Sequence, residues 1–166
     1  MIVVTGAAGF IGSCLIGRLN AANFNAVVAV DDFSRADKAA NLHGKRIVAR
    51  VPRDELFDWL DQHQQETEFI FHLGARTDTT EFDPAVFDRL NVGYSKRVWE
   101  ACCRYQLPLV YASSAATYGL GEAGYDDDEA RLDELRPLNP YGESKLQFDR
   151  WASTQSEKPL FWAGLN

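Results

Sequence analysis

The sequence predicts an α/β fold in which helices cover both faces of a parallel sheet. Short runs of β-branched and other apolar residues alternate with stretches of helical periodicity along the 166 residues. The stretches between successive apolar runs are long enough to hold the helical crossovers that parallel strands require. The content of 46% apolar and 25% charged residues suits a single domain with a buried core. We therefore expect one domain over residues 1–166.

In the first half of the chain, strands are recognised as short β-branched runs and helices as apolar residues three or four positions apart. The helix after the first strand has Ile11, Leu15 and Leu19 at helical spacing. A later helix is expected to turn Leu56, Trp59 and Leu60 inward. A polar stretch with some helix separates the second strand from the third. We expect strands at 2–5, 26–30, 46–51 and 69–73, and helices at 13–24 and 54–64.

The second half continues the alternation of helices and strands. Leu90, Tyr94, Val98 and Cys102 form one apolar stripe, which predicts a long helix. Pro140 suits the first turn of a further helix, since the first N–H groups of a helix lack partners in any case. These elements extend the sheet to six strands with right-handed crossovers. We expect helices at 86–105 and 141–155, strands at 108–114 and 159–166, and a loop at 119–138.

Charge and composition argue against several classes of partner. The net charge of −7 disfavours a nucleic acid or an anionic membrane. No apolar run approaches the ~20 residues of a membrane span, and MIVVTGAAGFIG lacks the basic segment of a signal peptide. The three cysteines and three histidines show no metal-ligand spacing, so we expect no metal. We expect buried, reduced thiols and a cytoplasmic location.

A glycine-rich turn between the first strand and the first helix predicts a dinucleotide site. In VVTGAAGFIG, Gly6 allows a tight turn, Gly9 lets the backbone approach a pyrophosphate, and Gly12 lets the helix pack closely on the sheet. The helix amino terminus then offers unpaired N–H groups to the phosphate oxygens. Asp31 follows about 20 residues later, where a carboxylate binds the adenosine ribose. Together these signals predict a Rossmann-like, doubly wound sheet.

The residues alone leave the choice between NAD and NADP open. An acid at position 31 ordinarily favours NAD, because it repels the 2′-phosphate of NADP. Arg35, Lys38 and Arg53 lie nearby in sequence and could neutralise that phosphate. They could equally be ordinary surface charges.

A tyrosine and a lysine in the last helix predict acid–base chemistry. NPYGESK places Tyr141 one helical turn before Lys145 on the same face. A free tyrosine has a pKa near ~10, and a cation held close to a phenol favours the phenolate. Tyr141 would accept the proton of a substrate alcohol while a hydride leaves the same carbon for a nicotinamide. Ser114 would hydrogen-bond the reacting oxygen, with Ser113 as the competing candidate because strand alternation does not decide between them.

These motifs resemble those of the extended short-chain dehydrogenase/reductases that act on nucleotide sugars, the NAD-dependent epimerase/dehydratase family. The resemblance covers nearly the whole chain and is carried by GAAGFIG, HLGARTDTTEFD, NVGYSKRVWEAC, YASSAATYGLGEAGYDDD and RPLNPYGESKLQFDRW. Within the family, SSAATYG and TTE are most similar to the epimerases of ADP-heptoses, which supply heptose for lipopolysaccharide. The resemblance implies a nucleotide-sugar substrate and NADP as the cofactor, with NAD possible.

The resemblance also implies particular site residues. Ser114, Tyr141 and Lys145 would be catalytic, and Tyr141 and Lys145 would also contact the cofactor. Phe10 and Ile11 would line the pyrophosphate turn beside Gly6, Gly9 and Gly12. Arg53 stands where relatives usually have lysine. The other cofactor contacts would come from Asp31, Asp32, Lys38, Arg53, Leu73, Gly74, Ala75, Arg76, Thr77 and Asn91.

Relatives also imply a homo-oligomer built from paired helices. The apolar residues expected to contribute to that interface are Val86, Leu90, Val98, Leu146, Phe148 and Trp151.

Several functions agree with these motifs. The first is epimerisation of an ADP-heptose by oxidation and re-reduction at one carbon, and the second is a UDP-sugar 4-epimerase with the same Ser/Tyr/Lys set. A dehydratase is disfavoured, because Ala115 and Ala116 stand where it needs an Asp-Glu pair. Relatives continue well beyond Asn166, so we expect most of the sugar-binding domain to be absent from this chain. We expect these residues alone to be inactive, and a non-catalytic dinucleotide-binding module is the third possibility.

Overall fold

The computed structural model describes residues 1–166 and contains one six-stranded parallel sheet. Its strands lie in the order β3-β2-β1-β4-β5-β6, and every neighbouring pair is parallel. From β1 the chain winds outward to β3, then crosses back and continues from β4 to β6, which is the doubly wound arrangement. The predicted fold class is confirmed. The strands are β1 (Ile2–Thr5), β2 (Val27–Asp31), β3 (Ala49–Pro52), β4 (Phe69–His72), β5 (Leu109–Ala112) and β6 (Trp162–Leu165).

Five α-helices connect the strands, with short 3₁₀ turns between some of them. The 3₁₀ segments are Ala36–Leu42, Arg53–Glu55, Ala115–Tyr118 and Glu129–Glu134. The α-helices are α1 (Phe10–Ala21), α2 (Leu56–His63), α3 (Pro84–Phe87), α4 (Tyr94–Tyr105) and α5 (Pro140–Thr154).

The long helix predicted over 86–105 is helical throughout but is not one regular α-helix. Between α3 and α4 the chain makes a π-helical turn over Asp88–Gly93. A Cβ at Gly93 would lie 2.9 Å from the Asp88 carbonyl oxygen, so the wider turn requires a glycine there. Turns of this kind are often found at functional sites, and this one contains Asn91.

Side-chain caps fix where two of the helices begin. Asp83 accepts a hydrogen bond from the Ala85 N–H at the start of α3, and Asn139 accepts one from the Gly142 N–H (2.8 Å) at the start of α5. In both helices a proline follows the cap, as its fixed backbone angle favours. Helix α5 therefore begins at Pro140, one residue before the predicted start.

The third strand begins later than the predicted residue 46. Asn20 in α1 accepts a hydrogen bond from the Arg46 N–H (2.8 Å), and its amide group donates to the Arg46 carbonyl (3.1 Å). A side chain 26 residues away thus occupies the backbone groups that a strand would use for pairing. Regular pairing with β2 begins only at Ala49.

The core has a larger and a smaller part, one on each face of the sheet. Helices α2, α4 and α5 bury Leu56, Leu60, Trp99 and Phe148 against one face. Helix α1 and the segment after β2 pack on the other face, around Val4, Val27, Ala29, Ile16 and Leu42.

Of the three apolar residues that predicted α1, Leu15 and Leu19 pack against the smaller part of the core, and Ile11 does not. Ile11 is 65% exposed and Leu15 and Leu19 are half-buried, whereas Ile16 is fully buried. Gly12 must face the sheet because its backbone touches that of Gly6, and Ile16 lies one turn further along the same side.

Much of the expected oligomer surface lies in the core of this chain. Val98, Leu146 and Phe148 are buried within the chain. Val86, Leu90 and Trp151 remain partly exposed. A homo-oligomer stays a prediction.

Two other expectations concern the thiols and the membrane. Cys102 is buried and Cys103 is half-buried, but Cys14 is exposed, contrary to prediction, because it lies on the solvent side of α1. None of the helices combines the length and the apolar character that a membrane crossing requires.

Candidate functional site

A cleft of about 670 Å³ opens where the carboxyl ends of β1, β2 and β4 meet. Ligands of doubly wound sheets bind at this edge, beside the point where the strand order reverses. Fourteen of the residues predicted to bind a cofactor line the cleft, whereas Asn91, Tyr141 and Lys145 do not. Those fourteen are Gly6, Gly9, Phe10, Ile11, Gly12, Asp31, Asp32, Lys38, Arg53, Leu73, Gly74, Ala75, Arg76 and Thr77.

The glycine turn forms the floor of the cleft through close backbone contacts. Gly6 has φ = +65°, and a Cβ there would lie 2.8 Å from the Cα of Gly74. A Cβ on Gly12 would overlap the Gly6 carbonyl oxygen. The first backbone bond of α1 runs from the Ser13 N–H to the Gly9 carbonyl (3.0 Å), so the preceding N–H groups have no helical partner. This arrangement fits a diphosphate, which such N–H groups and the helix dipole attract.

Asp31 holds the glycine turn against the end of β2. Its buried carboxylate accepts hydrogen bonds from the Ala8 N–H (2.8 Å) and the Asp32 N–H (2.7 Å). The Asn41 amide donates to the Ala8 carbonyl (2.9 Å) and anchors the same turn from the other side. Asp31 therefore has a structural role beside the predicted contact with ribose. Sequence reasoning missed Asn41, because nothing near it in the chain indicates a contact with residue 8.

At the end of the cleft next to β2 and β3, the lining contains three cations and two acids. The cations are Arg35, Lys38 and Arg53, and the acids are Asp31 and Asp32. Lys38 is 3.6 Å from the Asp31 carboxylate. Arg35 pairs with Asp37 (2.7 Å), and Arg53 lies 3.4 Å from Asp54. All three cations face the cleft, so each is placed to meet an additional anion.

Asp32 is the second acid at this end of the cleft. Hydrogen bonds from the hydroxyl and N–H of Ser34 hold its pKa below the ordinary value. Its carboxylate is therefore ionised at neutral pH.

Asn91 holds the segment 73–77 from the side that faces away from the cleft. Its side-chain oxygen accepts from the Arg76 N–H (2.7 Å), and its amide group donates to the Arg76 carbonyl (3.0 Å) and to the Ser144 hydroxyl (2.9 Å). Asn91 is 1% exposed, so the structure places it behind the cleft wall rather than in the cleft. Ser144 also donates to the Tyr141 carbonyl (2.7 Å), which connects this wall to α5.

Lys145 is buried at the carboxyl end of β5. Its ammonium group donates to the Ala112 carbonyl (2.8 Å), and the residue is 5% exposed. Burial lowers the pKa of Lys145 to about 8, and the carboxylate of Asp149 opposes the shift. Tyr141 lies one turn earlier on α5 and is half-buried. The structure therefore holds a cation one turn from the predicted acid–base residue.

The two serine candidates differ in burial and in their hydrogen-bond partners. Ser113 is buried and donates a hydrogen bond to Asp149 on α5. Ser114 is half-buried, and its hydroxyl accepts from the Ala116 N–H (3.1 Å) at the start of a 3₁₀ turn. Helix α5 packs directly on that turn, since a Cβ at Gly142 would lie 2.7 Å from the Ala116 carbonyl oxygen. The 3₁₀ turn that Ser114 caps therefore packs against the first turn of α5, where Tyr141 lies, and Ser113 is engaged elsewhere.

Thr5 and Tyr94 are among the residues of the cleft that were not predicted. The Thr5 hydroxyl accepts from the Gly74 N–H (3.1 Å). Tyr94 lines the cleft and donates from its hydroxyl to the Arg53 carbonyl (2.9 Å), and burial raises its pKa above the ordinary value. The helical stripe identified Tyr94 as a core residue, which holds for its ring, but periodicity does not show where the hydroxyl reaches.

The doubly wound sheet, the glycine turn and Asp31 define a Rossmann-type domain of the dinucleotide-binding class. Residues 2–164 match the model of the NAD dependent epimerase/dehydratase family, and the chain belongs to that family.

One similar curated protein is the ADP-L-glycero-D-manno-heptose-6-epimerase of Fusobacterium nucleatum. The identity is 40% over 169 residues, which covers 99% of this chain and 51% of that protein. The chain spans about half the length of the curated relatives it matches.

Two solved structures of similar proteins contain NAD. MoeE5 in complex with UDP-glucose and NAD has a TM-score of 0.74 and 31% identity, over 99% of this chain and 53% of that one. UDP-glucuronic acid 4-epimerase from Bacillus cereus, in complex with UDP-glucuronic acid and NAD, has a TM-score of 0.80 and 26% identity. That alignment covers 99% of this chain and 55% of the other.

Substituting Gly12 tests the close packing of the glycine turn. We expect Gly12→Ala to lower the free energy of unfolding by about 1–3 kcal/mol, because the added methyl overlaps the Gly6 carbonyl. Gly17→Ala in the same helix is the matched control. Its added Cβ meets only the end of the Lys45 side chain, at 3.3 Å, and alanine favours the helix by about 0.5–1 kcal/mol. Urea unfolding measures both variants, and equal stabilities would contradict the packing described.

Proposed function

We propose that this chain is the dinucleotide-binding part of a nucleotide-sugar epimerase that acts through transient oxidation and re-reduction of a sugar carbinol. The observation that carries the proposal is the placement of Lys145, buried at the end of β5 and one turn from Tyr141. A cleft suited to a dinucleotide opens at the same edge of the sheet. The helix with the acid–base pair is hydrogen-bonded to one wall of that cleft through Asn91 and Ser144.

The residues of the chain would perform three tasks in this reaction. Tyr141 would accept the proton of the sugar hydroxyl, with the Lys145 ammonium favouring the phenolate, and would return that proton after the sugar has turned. Ser114 would hydrogen-bond the reacting oxygen. The glycine turn and Asp31 would hold the diphosphate and the adenosine ribose. A bound nicotinamide dinucleotide supplies the hydride acceptor and donor, so no net oxidation occurs.

We propose ADP-D-glycero-D-manno-heptose as the substrate and ADP-L-glycero-D-manno-heptose as the product, in the supply of lipopolysaccharide heptose. The 40% identity to a heptose epimerase across nearly the whole chain supports this choice. A UDP-sugar 4-epimerase is the second candidate, favoured by the 26% identity and the TM-score of 0.80 to UDP-glucuronic acid 4-epimerase from Bacillus cereus. The same Ser/Tyr/Lys set would serve either reaction. We propose that residues 1–166 alone bind the dinucleotide without epimerising a sugar.

We propose NADP as the preferred dinucleotide, with NAD as a weaker ligand. Lys38 and Arg53 face the cleft beside Asp31, where a 2′-phosphate on the adenosine ribose would lie. The two cations would offset the repulsion between that phosphate and the carboxylates. The NAD present in similar structures supports a nicotinamide dinucleotide in general.

Replacing Lys38 tests the choice of dinucleotide. We expect Lys38→Ala to weaken NADP⁺ binding about 10- to 100-fold and NAD⁺ binding by less than about twofold, since one charge-assisted contact to phosphate is worth about 1.5–3 kcal/mol. Isothermal titration calorimetry on the dinucleotide-free chain measures both affinities. Lys158→Ala removes an exposed lysine outside the cleft and should change neither. Equal losses for the two dinucleotides would contradict a 2′-phosphate contact.

A chimera tests the reaction itself. Residues 1–166 would be joined to the remaining half of the Fusobacterium nucleatum relative, and the product followed by NMR with ADP-D-glycero-D-manno-heptose. We expect interconversion of the two heptose epimers, and a loss of at least about 100-fold in Tyr141→Phe, because general acid–base catalysis contributes about 10²–10⁴-fold. Tyr105→Phe removes a hydroxyl bonded to Asp61, outside the cleft, and should retain activity.

An ADP-heptose is the matched substrate for the chimera, because its sugar-binding half comes from the heptose epimerase, so turnover tests the acid–base residues of this chain. An active Tyr141→Phe chimera would contradict the assigned acid–base residue.

A further inference from the structure

We propose that His72 is a positioning residue for the dinucleotide, which acts by orienting the Thr5 hydroxyl and so fixing Gly74 in the cleft wall. The inference rests on the proposed function, because it concerns the same cleft. His72 does not line the cleft itself. It would act through Thr5 and Gly74, which do.

His72 connects three parts of the fold through both ring nitrogens. It is the last residue of β4 and is 2% exposed. Its Nδ1 lies 2.7 Å from the Thr5 hydroxyl at the end of β1, and its Nε2 lies 2.9 Å from the Ser95 hydroxyl on α4. One imidazole thus joins two strand ends to the helix behind them.

The proton count of this chain of hydrogen bonds favours a neutral imidazole. The Thr5 hydroxyl accepts from the Gly74 N–H (3.1 Å), and its own single proton is then available for Nδ1 of His72. The proton on Nε2 is in turn available for the Ser95 hydroxyl. A doubly protonated ring would require the Thr5 oxygen to accept twice and would leave the Thr5 proton without this partner.

The surroundings keep the ring neutral. Burial lowers the pKa of His72 to about 3, and the positive charge of Lys145 on α5 acts in the same direction. Tyr94 on α4 also packs against the ring; its ring centre is 5.8 Å away and its pKa is raised by burial. His72 is therefore neutral near pH 7.

The position of Gly74 matters because two walls of the cleft touch there. A Cβ at Gly74 would lie 3.0 Å from the Gly6 nitrogen and 3.2 Å from the Thr5 hydroxyl. The gap between the glycine turn and the segment 73–77 is thus smaller than a methyl group. A Thr5 hydroxyl held in one orientation by His72 fixes the Gly74 N–H, and with it the width of the cleft beside the turn.

Matched substitutions test this assignment. His72→Phe retains a ring and removes both hydrogen bonds, Thr5→Val retains the shape and removes the hydroxyl, and Thr5→Ser retains the hydroxyl. We expect His72→Phe and Thr5→Val each to weaken NADP⁺ binding about three- to tenfold, the range that loss of one positioned hydrogen bond produces. Thr5→Ser should bind within about twofold of the wild type. The variant that combines His72→Phe with Thr5→Val should bind NADP⁺ about as weakly as either single variant, because both substitutions act through the position of Gly74.

A second buried threonine separates positioning from stability. Thr67 is buried and donates from its hydroxyl to the His63 carbonyl (3.0 Å), outside the cleft. Thr67→Val should lower the unfolding midpoint without changing the dissociation constant for NADP⁺. Calorimetric titration and urea unfolding on each variant give the two quantities.

The outcomes distinguish this inference from the proposed function. If His72→Phe and Thr5→Val lose stability as Thr67→Val does but bind NADP⁺ normally, the positioning role is overturned and the proposed function stands. If the wild-type chain binds neither NADP⁺ nor NAD⁺, both fail. Should His72→Phe not fold, Ser95→Ala takes its place, because it removes the Nε2 partner of the ring and should weaken NADP⁺ binding in the same way, and unchanged binding in Ser95→Ala would then overturn the positioning role.

Discussion

Close backbone packing at three glycines is the constraint on which the rest of this site depends. Gly6 adopts a left-handed conformation and approaches Gly74 so closely that a Cβ would lie 2.8 Å from its Cα, and Gly12 touches the Gly6 carbonyl. These contacts bring the amino end of α1 to the edge of the sheet and leave its first N–H groups facing the cleft. Asp31 and Asn41 then hold the turn through Ala8. A dinucleotide site follows from this geometry before any charged side chain is considered.

Hydrogen bonds from side chains to the backbone connect that cleft to the predicted acid–base residues. Asn91, placed by a π-helical turn, binds the backbone of Arg76 on one side and Ser144 of α5 on the other. Lys145 is bound in turn to the end of β5. The cleft wall and the helix that carries Tyr141 therefore form one packed unit, as the proposed reaction requires for a hydride acceptor held against a sugar carbon.

Local patterns predicted the doubly wound parallel sheet and the glycine turn, and long-range contacts account for what these patterns missed. Periodicity and spacing depend on neighbours within a few residues, which is why β1, α5 and the cleft glycines could be placed from sequence. The late start of β3 depends on Asn20, the buried side of α1 depends on the fit of Gly12 against Gly6, and the burial of Ser113 depends on its bond to Asp149. None of these partners lies within helical or strand spacing of the residue it affects.

We expect the amino end of α1 and the segment 73–77 together to hold the diphosphate of a dinucleotide. Titration of the ¹⁵N-labelled chain with NADP⁺, followed by amide chemical shifts, measures where the dinucleotide binds. The largest changes are expected at residues 9–12 and 73–77, with smaller changes near Asp31. Changes confined to the opposite edge of the sheet, or unperturbed amides throughout the glycine turn at saturating NADP⁺, would contradict this expectation.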